Sequence, residues 1–460
     1  MRELSANVKR VAMVAMAGFA MLCLYMAYWQ VYRAPGLRAD EHNTAARERL
    51  ARIQPGQLLD RTGEALLTSR RTSEGYKRTY PEGRDVCHLT GYNDRSGLQP
   101  RLRDALLGVG EFERPWGELL EGAGRGNDVR LTVDLDAQRL ATRLMRGRRG
   151  AVVALDARDG AVLAMVSAPG YSPEAVLDNE WEYELFREDP AAPELNRALQ
   201  ERYPPGSVMK ILTVAAALDL NRVTPGSDLE CDGDWLVDGE TITCPRAHGD
   251  ISVARALAVS CNCVFAQLGE YIGAQDYRSY VKRFHLLDQA YLPLPSVLGG
   301  MGELTGPNAA AMLAETAFGQ GPTVVTPLAL ARMTLTIANG GMVVQPYIVA
   351  AVQTPDGRSL QSGTGRELGR AISAATAANV AGMMAGVVED GTGQDAALRS
   401  VRVAGKTGSA ENPHGEPHAW FTAFAPADSP RVVVTVIVEN GGSGAETALP
   451  IARRVMRLLL

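Results

Sequence analysis

The chain of 460 residues lacks several features that would point to a function at once. Basic charge is not in surplus: 47 Lys and Arg stand against 52 Asp and Glu, a formal net charge of −5, so the basic stripe that nucleic acid needs is missing and no nucleic-acid partner is expected. Cysteine and histidine are scarce, at 6 each, and the Cys261-x-Cys263 pair has no second Cys or His pair at a zinc-like spacing. These two read as small buried thiols, with no metal expected. No segment recurs at a fixed period, which argues against a solenoid. Charge is absent altogether from Val11 to Tyr32.

That uncharged stretch is long enough, at about 1.5 Å per helical residue, to cross a bilayer core. It has no polar face and no A-x-A-like cleavage site ends it, so it reads as an uncleaved anchor rather than a core helix or a signal peptide. Tyr25, Tyr28, Trp29 and Tyr32 suit an interfacial belt. Arg2, Lys9 and Arg10 place residues 1–10 as a cytoplasmic tail by the positive-inside tendency, although Arg33 and Arg38 weaken the asymmetry. Everything after the 11–32 span is then outside the cell membrane. In an oxidising compartment Cys231 and Cys244, which bracket a hairpin-like stretch, are candidates for a disulfide.

Beyond the anchor, Gln54 to Asn127 is rich in Arg, Gly and turn residues, which suggests a small irregular β-containing module beside the membrane, residues 33–128, with a boundary in the glycine-rich Gly122–Asn127. The texture then changes. Asp134–Met145 has helical spacing, and Ala151–Val166 reads as two strands folded at Arg158-Asp159-Gly160. Further strands are expected at Val401–Ser409, Ala419–Ala425 and Val432–Glu439, and a closing helix at Pro450–Leu460. The middle is mostly helical, including Val208–Leu220, Ser252–Val259, Val264–Ile272 and Ala309–Ala317. The expectation for 129–460 is an α+β domain whose antiparallel sheet draws strands from both chain ends, backed by a helical lobe, with a cleft between sheet edge and helices.

Ser207 follows a Pro204-Pro205-Gly206 break and opens an apolar helix. At a helix start its backbone N–H is not consumed and the local dipole favours a negative oxygen. Lys210 lies three residues on, on the same face. A serine hydroxyl needs a base, and a lysine becomes one when burial and a second cation, here Lys406, lower its pKa. S-x-x-K alone is weak evidence: Ser279-Tyr280-Val281-Lys282 also matches, in an ordinary charged helix. What singles out Ser207 is its company. Ser260-Cys261-Asn262 supplies a hydroxyl able to shuttle a proton and an amide able to hold a substrate amide. Lys406-Thr407-Gly408-Ser409 closes a strand whose Lys and Thr suit a substrate carboxylate and whose Gly leaves room for an extended peptide. The N–H groups of Ser207 and Ser409 are the expected oxyanion hole.

These motifs, in this order, resemble those of the penicillin-recognising serine enzymes, and nearly the whole chain is similar to class B penicillin-binding proteins. Gln57–Gly63, Ala164–Pro169, Phe318–Gly321, Gly391-Thr392-Gly393 and His418–Phe421 stand where that family has similar runs, and Val438–Gly442 looks most like the shorter elongation-type members. Ser409 departs from the commoner threonine but keeps the backbone N–H. Ala247-His248-Gly249 stands where the family often has Gly-His-Gly, with His248 read as a loop histidine outside the chemistry. The resemblance implies a β-lactamase/transpeptidase-like fold and a D,D-transpeptidase acting on peptidoglycan stem peptides through a Ser207 acyl-enzyme. It also implies inhibition by β-lactams, no cofactor, and a membrane-embedded glycosyltransferase of the shape, elongation, division and sporulation family as partner. A hydrolase, either a carboxypeptidase or a β-lactamase, is the nearest alternative, but no local pattern names a deacylating base. A penicillin sensor or inactive scaffold is the non-enzymatic one, and none of the constellation is missing.

Overall fold

In the computed structural model, residues 2–33, 50, 52–73, 75–112, 124–413 and 415–460 are described; Arg38 and residues 122–123 of the expected boundary lie outside them. Helix α1, Arg2–Ala27, runs on as a π-helical stretch Tyr28–Arg33. Its apolar window within Asn7–Arg33 is wholly exposed. A helix that is apolar all round and packs on nothing among the described residues suits an apolar medium, and this one fits a single-pass membrane anchor.

Five strands build the central antiparallel sheet: β1 Gly150–Asp156, β2 Val162–Ala168, β3 Ala404–Ala410, β4 His418–Ala425 and β5 Val432–Val438, in the order β3-β4-β5-β1-β2. Strands from both ends of the domain thus share one sheet, as expected. All residues of β1, β2 and β5 are buried, because both faces are covered. That coverage explains continuous apolar runs such as Val432–Val438 where a half-exposed sheet would alternate. On one face lie α2, Leu135–Leu144, capped by Asp134 accepting from the Ala137 N–H at 3.1 Å, and the C-terminal helix Leu449–Leu459, which buries Leu449, Ile451, Ala452, Val455 and Met456. On the other lies the buried helix Pro327–Ala338.

A second sheet runs Ser359–Ser362, Val349–Gln353, Asp128–Leu131, Leu58–Leu59, Ala65–Thr72, Gly75–Thr79. It joins residues on both sides of 128: Val349–Gln353 pairs with Asp128–Leu131, which pairs in parallel with Leu58–Leu59. The turn after Leu59 is fixed by Asp60, whose carboxylate accepts from the N–H groups of Thr62, Gly63 and Glu64, each at 2.8 Å.

The two halves of the main domain are also tied by a buried ion pair. Glu439, just past β5, accepts from Arg197 Nε at 2.7 Å and from the Tyr203 hydroxyl at 2.8 Å, and Arg197 is only 1% exposed. Removing one member of a buried pair leaves an uncompensated charge. Glu439→Ala should therefore lower stability by about 3–5 kcal/mol, read by denaturant unfolding, with Glu439→Gln milder.

Candidate active site

Ser207 sits in a 3₁₀ turn, Gly206–Met209, that leads into α3, Lys210–Asp219. The expected α-helical start is thus tighter than an α-helix. In a 3₁₀ turn residues three apart eclipse, which sets Ser207 and Lys210 one above the other more directly than α spacing does. Gly206 permits the turn: its φ is +55°, and a Cβ there would lie 2.9 Å from the Ser409 carbonyl oxygen. Trp420 Nε1 donates to the Pro204 carbonyl at 3.0 Å and holds the preceding Pro-Pro segment. Ser207 is half-buried, and its hydroxyl has no hydrogen-bond partner among the described residues.

Helix α4, Val253–Val259, ends at Ser260, whose left-handed φ of +61° turns the chain into α5, Asn262–Ile272. A non-glycine residue held there is uncommon and costs backbone energy. The turn aims the Ser260 hydroxyl between two buried amines: Lys210 Nζ at 3.2 Å and Lys406 Nζ at 3.0 Å. Lys210 also donates to the Ser260 carbonyl at 2.7 Å and to Asn262 Oδ1 at 2.8 Å, and lies 5.5 Å from the centre of the Phe265 ring.

Both lysines are 0% exposed. Burial brings Lys210 down to about 7, while neighbouring thiols oppose the change. Lys406 is lowered well below its usual range, by burial first and then by the charge on Lys210. Of the two expected causes, burial and a second cation, burial is the larger at both lysines, and the influence of one amine on the other falls on Lys406. Two amines sharing one hydroxyl in a dry site titrate as a pair, which leaves one free amine near neutral pH.

Lys406, Thr407, Gly408 and Ser409 lie on β3, the edge strand. A Cβ on Gly408 would come within 3.0 Å of Val208 Cγ2 and 3.1 Å of Trp420 Cβ. The glycine therefore serves first to seat the serine turn on the sheet, a role the reading of it as room for a peptide did not include. Thr407 Oγ1 is 2.6 Å from Thr392 Oγ1, and the Thr392 N–H donates to the Ala258 carbonyl at 3.0 Å, so the Gly391-Thr392-Gly393 turn ties β3 to the end of α4. Thr392, Trp420 and Glu439 were not singled out as site residues, because their partners are distant in sequence. All eight residues expected at the site come together where the serine turn, the α4–α5 turn and β3 meet. Ser279 and Lys282 instead lie exposed on Ala274–Arg283.

The serine turn depends on a second glycine. Gly319, at φ +98°, approaches so closely that a Cβ there would lie 1.7 Å from the Gly206 carbonyl oxygen. Gly319→Ala should displace the turn carrying Ser207 and slow labelling by a fluorescent penicillin by about tenfold or more, the cost of misplacing a reacting group.

All six cysteines are free thiols. The donor atoms of Cys231, Cys244, His248 and Cys261, which no short local motif unites, lie within 4.8 Å of one another.

A serine aligned with a buried lysine, a hydroxyl between two amines and an edge strand bearing Lys-Thr-Gly define an acyl-transfer serine enzyme on a transpeptidase scaffold. Residues 150–457 match the family described as the penicillin binding protein transpeptidase domain, and the chain belongs to that family. It is 34% identical over 499 residues to the peptidoglycan D,D-transpeptidase PbpA of Mycolicibacterium smegmatis, covering 99% of each chain. Against MrdA of Haemophilus influenzae the identity is 30%, covering 83% of this chain and 69% of that one. The structure is similar to penicillin-binding protein A from M. tuberculosis in its ceftriaxone acyl-enzyme complex, with a TM-score of 0.83, 31% identity, and 89% and 99% of the two chains covered.

Proposed function

We propose that this chain is a peptidoglycan D,D-transpeptidase in which Ser207 is the nucleophile. The observation that carries the reading is the Ser260 hydroxyl held between the Lys210 and Lys406 amines beside the serine turn. Ser207 Oγ attacks the penultimate D-Ala carbonyl while its proton passes to the neutral amine of Lys210. The N–H groups of Ser207 and Ser409 receive the oxyanion; β3 is an edge strand, so alternate N–H groups on it lie outside the ladder. Ser260 relays a proton to the departing D-Ala amine, and Asn262 holds a stem-peptide amide. Lys406 and Thr407 meet the terminal carboxylate. An amine of a second stem then takes the acyl group and frees Ser207. A β-lactam acylates the same oxygen, as in the acyl-enzyme complexes solved for the M. tuberculosis protein.

The N-terminal helix anchors the chain with residues 1–10 in the cytoplasm and the domain outside, and residues 33–128 serve as the pedestal of the 129–460 transpeptidase unit. From there it works beside a glycosyltransferase of the shape, elongation, division and sporulation family, which supplies nascent glycan. The deciding experiment supplies that glycan to the purified full chain with such a partner and separates the products. Cross-linked dimers that vanish with penicillin support the transpeptidase; release of D-Ala without cross-links makes the enzyme a carboxypeptidase instead.

A further inference from the structure

Beside the C-terminal helix Leu449–Leu459, a cavity of about 590 Å³ is walled by three arginines that the acyl-transfer chemistry does not use. We propose that Arg399, Arg453 and Arg457 bind a phosphate-type oxyanion borne by a larger molecule. Arg399 stands in a tight turn ahead of β3, closed by an antiparallel bridge between Leu398 and Val401. Arg453 and Arg457 lie one helical turn apart and so share one side of the C-terminal helix. All three are exposed, and none has an ion-pair partner among the described residues. The acids nearby do not serve them. Glu389 and Asp428 both pair with Arg402, at 2.7 and 3.4 Å, and Asp395, on the turn Gln394–Ala396, is exposed and makes no ion pair among the described residues. The Leu460 carbonyl, on the same wall, accepts from Arg431 Nη1 at 3.2 Å.

The three charges are held together from beneath. Leu398, Val401 and Leu460 pack against the apolar cluster under the C-terminal helix, which fixes the turn to the helix while the guanidinium groups stay in water. Like charges around one cavity repel, and an anion of at least two charges relieves the repulsion. A carboxylate presents two oxygens in one plane and satisfies one guanidinium fork. A phosphate presents three outward oxygens, enough for forks that arrive from two elements. The Ser400 hydroxyl, on the same wall, adds a neutral donor. The cavity has the size of a site for a small organic ligand, far more than one oxyanion fills, so the anionic group arrives on an organic body. Because the chain carries a formal net charge of −5, this basicity belongs to the place and not to the composition. Arg143, exposed on the neighbouring α2, and Arg454 extend the positive field. Two sources share the chemistry, a phospholipid headgroup and a soluble phosphate-bearing polymer.

The test titrates the full chain, in a non-ionic detergent at low ionic strength, with inorganic pyrophosphate by calorimetry. A glycerol phosphate oligomer and dihexanoyl phosphatidylglycerol follow as separate probes. We expect saturable binding of one pyrophosphate per chain that weakens as salt is added. Arg399→Gln, Arg453→Gln and Arg457→Gln should each weaken it about tenfold or more, the worth of one charge-assisted hydrogen bond, and the triple variant should abolish it. Arg453→Lys, which keeps the charge and loses the fork, should recover only part of the affinity. Tighter binding of the oligomer than of the lipid names a soluble polymer as the source, and the reverse names a headgroup. If neither binds while pyrophosphate does, the larger body is wrong. The site itself is overturned by a pyrophosphate titration that does not saturate. It is equally overturned if Arg70→Gln/Arg71→Gln/Arg222→Gln, which removes the same charge from exposed positions elsewhere, weakens binding as much. Thermal unfolding at the wild-type temperature certifies the fold of each variant. Pyrophosphate binding is read whether or not Ser207 is the nucleophile, which keeps failure of this site distinct from failure of the transpeptidase reading.

Discussion

Ser207→Ala should abolish covalent labelling by a fluorescent penicillin, and Lys210→Met should slow it by about 10²–10⁴-fold, the range of a positioned general base. Ser279→Ala, in the chain's other S-x-x-K, should change nothing, because Ser279 is exposed on a solvated helix. Loss of fold would mimic loss of chemistry, so the sign of the stability effect matters. Lys210 is lowered from 10.5 to about 7 in the folded protein. Between those values the unfolded chain binds a proton that the folded chain does not, so stability rises with pH across the window and the charged lysine opposes folding below it. Methionine fills similar volume without that charge. Lys210→Met should therefore unfold at no lower a temperature near pH 7, while its acylation collapses. A variant that keeps its fold and labels at the wild-type rate counts against Lys210 as the base.

Much of this site was legible along the chain because its parts are short motifs with strong local grammar. Pro-Pro-Gly before Ser207 marks a turn, and an isolated Lys-Thr-Gly closing an apolar strand marks an edge. The sheet was readable for the same reason: Gly150–Asp156 and Val162–Ala168 flank a turn, and Val432–Val438 is a buried run. What stayed hidden depends on distant pairings. Val349–Gln353 looks like any short apolar run until it pairs with Asp128–Leu131, and that pairing joins the membrane-proximal strands to the main domain. Helix Pro327–Ala338 is buried on nearly every side and so lacks the amphipathic period that marks a surface helix. His248 looked like a bare loop histidine because its neighbours, Cys231 and Cys244, are supplied by the folding of a hairpin. Thr392 likewise gains meaning only from Thr407.

The acylation rate should climb steeply with pH. Attack by Ser207 requires the unprotonated amine of Lys210, and burial places that proton's loss at about 7. Well below that value the neutral fraction falls tenfold per pH unit, so the second-order rate constant with benzylpenicillin should rise about 50-fold from pH 5 to pH 7, double once more by about pH 9, and level off. An ordinary exposed lysine would push the plateau to about pH 10. The groups facing Lys210 define the competing influences. Lys406 shares the Ser260 hydroxyl, and burial together with the charge on Lys210 holds its own amine well below the usual lysine range. Cys244, Cys261 and Cys263 lie close enough for any negative charge on them to raise it. Burial outweighs the thiols, because removing a cation from water costs more than a few partial charges return. Stopped-flow acylation across pH 5–10 reads the inflection directly. A flat profile would mean that the proton leaves Ser207 by a route other than Lys210, whereas an inflection near 10 would mean that water reaches the lysine in solution.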